Sequence, residues 1–179
     1  MDKNVPKEAQ RCVMIAAPHT SNWDFPYTML AFRIMKIPQR YTIKKSWMKF
    51  PQGLLFKYLG AVGIDRSKKK DDPNRKSYID QMAEIIQKHE RIAMVITPEG
   101  SRRPNDTWKM GFYYTALKAK VPICLGYVDY QKKMIGVGRC FMPTEDVEAH
   151  MKKIMCYYKD KVGKIPENFL LDHRYPCPT

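Results

Sequence analysis

The sequence has no long apolar run of the kind that crosses a membrane. A bilayer-spanning helix needs roughly 20 apolar residues, and no segment of the 179-residue chain comes near that length. Residues 1–11 are polar, and the apolar stretch that follows, 13–17, is too short for the core of a signal peptide. We therefore expect a protein that stays in the cytoplasm and does not cross a bilayer.

Several common functional signatures are also missing. There is no Walker loop, no G-x-G-x-x-G turn and no G-x-S-x-G elbow that would mark Ser21 or Ser101 as a nucleophile. We find no RNP-type aromatic motif, no helix-turn-helix signal and no zinc finger. These absences argue against nucleotide-binding P-loops, elbow-type serine hydrolases and the common nucleic-acid-binding modules.

The cysteines show no pairing pattern. There is no C-x-x-C and no matching histidine cluster, which argues against a zinc site. An odd number of scattered cysteines in a cytosolic context predicts reduced structural thiols. The five positions are Cys12, Cys124, Cys140, Cys156 and Cys177.

What the chain does have is positive charge and enough apolar residues to fold. Hydrophobic residues make up 44% and aromatics 12%, which is typical of one folded domain spanning residues 1–179. The formal net charge is +14, so an anionic partner is expected. Nucleic acid, an anionic membrane surface and a small acidic protein all fit that charge, and so does a basic surface that is merely solvated.

Strand-like and helical patterns alternate along the chain. This alternation predicts an α/β fold with a largely parallel sheet flanked by helices. A short turn at 129–133 links the last two strands, so we expect them to pair antiparallel and make the sheet mixed. Residues 24–36 are apolar on nearly every side, which predicts a buried helix. The predicted strands are 12–17, 41–45, 61–64, 91–97, 121–128 and 134–141, and the predicted helices are 24–36, 47–59, 73–90, 109–120 and 145–162.

His19 and Asp24 stand at the junction between the first strand and the first helix. In one continuous helix this spacing would put them about 140° apart, so they meet only if His19 lies in the turn. Ser21 and Asn22 are good helix N-caps, and Pro26 is tolerated only near a helix start. The segment therefore predicts a turn at His19 and a helix that begins near Asp24.

A histidine beside an aspartate is the arrangement of a general base. The carboxylate accepts one ring N–H and fixes the tautomer, which leaves the other nitrogen free to take a proton from a hydroxyl. The plain alternative is that Asp24 is only a helix cap and His19 only a loop residue.

A second polar segment, residues 97–104, follows the clearest strand in the chain. Gly100 permits close backbone approach, and Arg102 and Arg103 offer forked donors that suit a phosphate. Arg66 ends another short strand, so it converges with Arg102 on one anion if both strands share a sheet. The alternative is a simple turn with solvated arginines.

Four short blocks, taken in order, resemble the glycerolipid acyltransferase family typified by lysophosphatidic acid acyltransferase. The family pattern is H-x-x-x-x-D, G-x-x-x-[IV]-x-R, P-E-G-[ST]-R and V-P-[IV], and the match spans residues 18 to about 126. The blocks read His19-Thr-Ser-Asn-Trp-Asp24, Gly60-Ala-Val-Gly-Ile-Asp-Arg66, Pro98-Glu-Gly-Ser-Arg102 and Val121-Pro-Ile123.

The resemblance implies a role for each matched residue. His19 would be the general base and Asp24 would orient it. Glu99 and Gly100, with Ser101 beside them, would shape the acceptor pocket, and Arg66 and Arg102 would bind the acceptor phosphate. The implied fold is glycerolphosphate acyltransferase-like, and no metal or other cofactor is implied.

These implications lead to a specific functional hypothesis. We expect transfer of a fatty acyl group from acyl-CoA or acyl–acyl carrier protein to the hydroxyl of a lysophospholipid such as 1-acyl-glycerol-3-phosphate. A lyso-aminolipid acceptor and hydrolysis of the thioester by water remain as alternatives. A basic nucleic-acid-binding module is the alternative from a different functional class, although no nucleic-acid motif supports it.

Residues 47–59 mix large apolar side chains with lysines. This mixture fits a helix that lies on an anionic membrane surface, and packing in the core is the alternative. We therefore expect a cytoplasmic protein that associates peripherally with the inner face of the membrane. The same basic surface would suit an acidic acyl carrier protein.

Overall fold

The computed structural model describes residues 4–64 and 76–178. Within these residues six strands form one sheet in the order β3-β2-β4-β1-β5-β6. All neighbouring strands run parallel except β5 and β6, which pair antiparallel. The strands are β1 (Arg11–Ala17), β2 (Gln39–Lys44), β3 (Ala61–Ile64), β4 (Ile92–Ile96), β5 (Ile123–Asp129) and β6 (Met134–Phe141).

Helices connect the strands and cover both faces of the sheet. Ser77 and Asp80 form a reciprocal capping box that starts the third helix, and Asp146 accepts a hydrogen bond from the backbone of Ala149 to start the fifth. Both capping interactions are local in sequence, and each fixes the residue at which its helix begins. The helices are α1 (Asp24–Ile34), α2 (Gln52–Tyr58), α3 (Tyr78–Gln87), α4 (Gly111–Ala119) and α5 (Val147–Tyr158).

Alternating residues of β1 pack on opposite faces of the sheet. Val13 and Ile15 join the larger core, which α3, α4 and α5 cover. Cys12 and Met14 point to the smaller core, where Phe32 of α1 packs. Because both faces are covered, β1 is a continuous buried run, as expected for a parallel strand at the centre of a sheet.

The predicted α/β fold with a mixed, largely parallel sheet flanked by helices is confirmed. The prediction of a buried helix over 24–36 is wrong, since Leu30 and Ile34 of α1 are more than half exposed. The predicted helix 47–59 is divided: a 3-10 turn ends at Met48, and α2 begins only after Pro51. A proline lacks the N–H that a helix interior needs, which explains the break.

The prediction of reduced cysteines is also wrong for four of the five. Cys124 and Cys140 lie opposite each other on β5 and β6 and form a disulfide. Cys156 of α5 bonds to Cys177 near the end of the chain, and only Cys12 is a free thiol. The first pair depends on the register of β5 and β6, and the second on the path of the C-terminal segment. The spacing of cysteines in the sequence reveals neither.

No helix within residues 4–64 and 76–178 has the length and apolar content needed to span a bilayer.

Candidate active site

Three neighbouring strands of the sheet deliver polar side chains to one edge. His19 follows the carboxyl end of β1, Glu99 follows β4, and Tyr130 follows β5. These strands are parallel and adjacent in the order β4-β1-β5, so the three residues emerge side by side. The carboxyl edge of a parallel sheet is where α/β proteins place their ligands.

Asp24 is the first residue of α1 and is 3% exposed. One carboxylate oxygen, Oδ2, accepts hydrogen bonds from the backbone N–H groups of Thr20 (2.7 Å) and Ser21 (2.8 Å). The other, Oδ1, accepts a hydrogen bond from the Tyr130 hydroxyl at 2.8 Å. The carboxylate is therefore fixed from both sides.

Burial alone would raise the pKa of the Asp24 carboxyl. The hydrogen bonds from His19, the Ser21 amide, Tyr130 and the Thr20 amide oppose that effect and hold the pKa below its usual value. Donors that point at a carboxylate favour its charged form. Asp24 therefore stays ionised although it is buried.

His19 lies in the turn before α1, as predicted, and its ring meets Asp24. The Nδ1 atom is 3.5 Å from Oδ2 of Asp24, and the histidine side chain keeps 20% of its surface exposed. A carboxylate can only accept a hydrogen bond, so Nδ1 carries the proton in this pair. The Nε2 atom on the other side of the ring is left as the basic nitrogen.

Glu99 lies behind His19 and does not line the open cleft. Its carboxyl group is 4% exposed and accepts hydrogen bonds from the His19 backbone N–H at 2.8 and 3.1 Å. Burial raises the pKa of Glu99 to about 8; the His19 N–H acts in the opposite direction and the charge of Asp24 adds to the rise. Glu99 thus fixes the backbone of the base from a nearly dry position.

Tyr130 is a site residue that the sequence patterns did not single out. It comes directly after β5, within the predicted turn 129–133 that links the last two strands. Burial and the bond to Asp24 raise the pKa of its hydroxyl above the usual value, so the group stays protonated and donates. Its position after a strand adjacent to β1 is the one signal that could have found it.

An open cleft of about 660 Å³ lies beside His19. Gly100 forms part of its wall with a backbone φ of +73°, a left-handed conformation that favours glycine. Ser101 and Arg102 line the same wall, and Nη1 of Arg102 donates a hydrogen bond to Oδ1 of Asn22. The cleft is lined by His19, Thr20, Ser21, Asn22, Gly100, Ser101, Arg102, Arg103, Ile165 and Asn168.

The C-terminal segment, residues 160–178, builds the remaining wall of the cleft. The Ile165 N–H donates to Oγ1 of Thr20 at 3.2 Å, and the Val162 carbonyl accepts from the Tyr130 N–H at 2.9 Å. Gly163 sits so close to Thr20 that a Cβ there would be 2.7 Å from the threonine methyl carbon. Nothing in the motif blocks indicated that the chain returns to the site.

Arg66 lies outside the described residues, so its convergence with Arg102 stays a prediction. The backbone N–H groups of Thr20 and Ser21 both donate to Asp24. They are therefore not free to stabilise a tetrahedral oxyanion in the cleft, which would need other donors.

The chain matches the family model described as Acyltransferase over residues 2–125, which is more than half of its length. This range contains His19, Asp24, Glu99 and Arg102 but neither Tyr130 nor the C-terminal segment. No curated protein matches the chain.

Proposed function

The chain belongs to the acyltransferase family, and we propose that it transfers a fatty acyl group from a thioester to the hydroxyl of a lysophospholipid such as 1-acyl-glycerol-3-phosphate. One observation carries this proposal: the His19–Asp24 pair opens onto a cleft whose wall bears Arg102 and Arg103. The pair supplies a base for a hydroxyl, and the arginines supply donors for a phosphate on the same molecule.

The proposed reaction needs one base and no covalent enzyme intermediate. Nε2 of His19 removes the proton of the acceptor hydroxyl as its oxygen attacks the thioester carbonyl carbon. The tetrahedral intermediate then collapses, the carbon–sulfur bond breaks, and the thiolate takes the proton back from His19. The buried Asp24 carboxylate stabilises the imidazolium that exists between the two steps.

The charge of the cleft favours an anionic acceptor. Among the described residues that line the cleft none is acidic, whereas Arg102 and Arg103 both belong to the lining. The hydrogen-bond partner of Arg102 is the neutral side chain of Asn22, and no ion pair among the described residues includes Arg102. A guanidinium pairs with phosphate through two parallel N–H donors, which a lysolipid lacking phosphate would not use.

The proposal is tested by an acceptor panel. Purified protein receives radiolabelled palmitoyl-CoA or palmitoyl–acyl carrier protein together with lysophosphatidate, a phosphate-free lyso-aminolipid, or no acceptor. We expect labelled phosphatidate from the wild type and none from the His19→Ala variant. Labelled aminolipid alone would change the acceptor class, and free palmitate alone would identify a thioester hydrolase.

The role of Arg102 is tested separately from the chemistry. The Arg102→Gln substitution should raise KM for lysophosphatidate by about tenfold or more with a smaller effect on kcat, because it removes a charged hydrogen bond to the bound phosphate. The matched control is Arg139→Gln, which removes one exposed arginine from β6, outside the cleft lining. An equal change in both variants would argue against a phosphate contact at Arg102.

A further inference from the structure

Residues 25–64 have a charge pattern found nowhere else in the chain. They include no aspartate and no glutamate, although the whole sequence has 18 acidic residues. The basic residues of this segment therefore have no acidic residue within the same stretch of sequence. The cations are Arg33, Lys36, Arg40, Lys44, Lys45, Lys49 and Lys57.

Helix α1 turns an apolar stripe to solvent beside these cations. At about 100° per residue, the positions 23, 27, 30 and 34 fall within an arc of roughly 60° on one side of a helix. All four side chains are large, and all are between 44% and 59% exposed. They are Trp23, Tyr27, Leu30 and Ile34.

A second apolar group lies on and just before α2. Phe50 is 83% exposed, and Leu54, Leu55 and Tyr58 are each at least 60% exposed. Of the thirteen large hydrophobic residues that are exposed in the described part of the chain, nine fall between positions 23 and 58. Concentration on one surface, rather than exposure itself, marks a binding region.

A groove of about 600 Å³ runs between the two groups. Leu30 and Arg33 of α1 lie on one rim and Tyr58 of α2 on the other, where the Tyr58 hydroxyl accepts a hydrogen bond from Arg33 at 3.0 Å. Arg40 and Arg91 also line the groove. One member of each apolar group, Leu30 and Tyr58, thus lines the cationic groove.

The cations of the groove have only neutral partners among the hydrogen bonds of the described residues. Arg33 donates to Tyr58, Arg40 donates to the Gln39 carbonyl, and Arg91 donates to the Gln10 side chain. None of the ion pairs within residues 4–64 and 76–178 includes any of these arginines. No described residue therefore neutralises these arginines, which favours binding of an external anion in the groove.

We propose that this surface, the docking face, binds an anionic phospholipid bilayer. It consists of the α1 stripe, the apolar group of α2 and the groove between them. Leucine, isoleucine and aromatic side chains enter the boundary between headgroups and acyl chains, while the arginines of the groove meet headgroup phosphates. Trp23 directly precedes Asp24, so docking in this way brings the catalytic cleft to the edge of the membrane.

An acidic carrier protein fits this face less well than a bilayer does. Charge pairs with such a partner would use the arginines, but they would leave Phe50, Leu54 and Leu55 in water. A bilayer accounts for both halves of the surface, since binding strength there scales with buried apolar area plus attraction to anionic lipid. The proposal concerns binding and does not depend on the reaction proposed above.

Vesicle flotation tests the proposal with the full chain. We expect wild-type protein to bind vesicles containing 30% phosphatidylglycerol and to stay unbound with pure phosphatidylcholine. Leu54→Ser/Leu55→Ser should weaken binding by about tenfold or more. Arg33→Gln/Arg40→Gln should weaken it by roughly 30-fold, given the attraction of each basic residue to an anionic surface.

Matched controls remove the same chemistry elsewhere. Met142→Ser/Leu170→Ser deletes two exposed apolar side chains that lie off the docking face. Lys153→Gln/Lys159→Gln removes two exposed cations at α5, on the opposite side of the sheet. Both controls should bind like the wild type, and equal losses in controls and docking-face variants would overturn the proposal.

Two further measurements separate this proposal from other outcomes. The His19→Ala variant should float like the wild type, so a failed enzyme assay and failed docking can be told apart. Bromine-labelled phosphatidylglycerol should quench the tryptophan fluorescence of the wild type. It should quench the fluorescence of a Trp23→Phe variant less. If all variants bind vesicles equally but the docking-face variants no longer bind an acidic acyl carrier protein, the face binds the protein partner instead of a bilayer.

Discussion

Residues 4–64 and 76–178 contain two histidine–aspartate pairs of almost the same length. Nδ1 of His19 is 3.5 Å from Asp24, and Nδ1 of His173 is 3.4 Å from Asp106. In the second pair both side chains are 61% exposed, whereas Asp24 is almost completely buried. Distance alone therefore does not distinguish a catalytic pair from a surface contact.

The surroundings distinguish the two pairs. Asp24 receives two backbone N–H groups and the Tyr130 hydroxyl, and His19 is held from behind by Glu99. His173 instead bonds through both its ring and its backbone to the carbonyl of Asp106. A fixed, desolvated carboxylate orients a base and stabilises its cation, while a solvated one is screened by water.

The sharpest way to test this contrast is to remove each histidine. His19→Ala should lower kcat by about 10⁴-fold, the upper range for loss of a general base. His173→Ala should change kcat by less than about twofold, because an exposed ion pair is screened by water and contributes little interaction energy. Steady-state acyl transfer from a labelled thioester measures both, and comparable losses would remove the distinction between the pairs.

Removing each carboxylate is the next test. Asp24→Asn should lower kcat by about 10³-fold with little change in KM, because the amide no longer fixes the tautomer or stabilises the imidazolium. Asp106→Asn is the matched change at the exposed pair and should leave kcat unaltered. Circular dichroism melts of both proteins check that lost activity does not come from unfolding.

The same contrast shows how far the sequence predicts this site. The strand-to-helix junction at His19 and the strand before Glu99 are local signals, so those parts of the site were predictable. The prediction that Ser21 or Asn22 caps the helix is wrong, because the N-cap of α1 is Trp23 and no described side chain caps it. Tyr130 lies 106 residues from Asp24 and reaches it only because β5 is the neighbour of β1. Strand order is set by the packing of the whole sheet, and no local pattern states it.

The fold shows the same division between local and distant information. Alternating strand and helix patterns predicted the mixed sheet, because residue periodicity depends on near neighbours. The exposure of α1 was missed, since Leu30 and Ile34 look like core residues when nothing shows what covers them. The disulfide between Cys156 and Cys177 was missed because it depends on the path of the C-terminal segment.

Glu99 offers a test on stability, because only the buried pair has such a residue behind it. Its pKa rises from 4.5 unfolded to about 8 in the folded protein. The folded state thus binds the extra proton, so the stabilisation is complete below pH 4.5 and is lost as pH rises through 8. Glu99→Gln mimics the protonated form and should remove this loss, which is on the order of 5 kcal/mol of unfolding free energy over the whole pH range.

Urea unfolding at pH 5 and pH 8.5 measures this effect. The wild type should lose stability between the two values relative to Glu99→Gln, and the variants should nearly agree at pH 5. The control is Glu145→Gln, which changes an exposed carboxyl group outside the site. A Glu99→Gln protein with the full pH dependence of the wild type would show that the buried carboxyl is not its source.

A substitution at Tyr130 is the most specific test of what fixes Asp24, and its expected effect is the smallest. Tyr130→Phe removes one hydrogen bond to Oδ1 and leaves the two backbone bonds to Oδ2 in place. We expect kcat to fall by about fivefold with KM unchanged, since one net hydrogen bond corresponds to roughly 1 kcal/mol. The Asp24 pKa should move up towards its usual value, because a donor to the charged form has been lost.

The double-mutant cycle between Tyr130 and Asp24 decides how the hydroxyl acts. If Tyr130 works by positioning Asp24, Tyr130→Phe should have almost no further effect in the Asp24→Asn background. Independent, multiplying effects would mean that the tyrosine contacts the substrate directly. Tyr114→Phe, a change at an exposed tyrosine of α4, controls for loss of a hydroxyl as such and should leave kcat unchanged. Coupling confined to Tyr130 and Asp24 would show that the groups holding the carboxylate make the two histidine–aspartate pairs differ in activity.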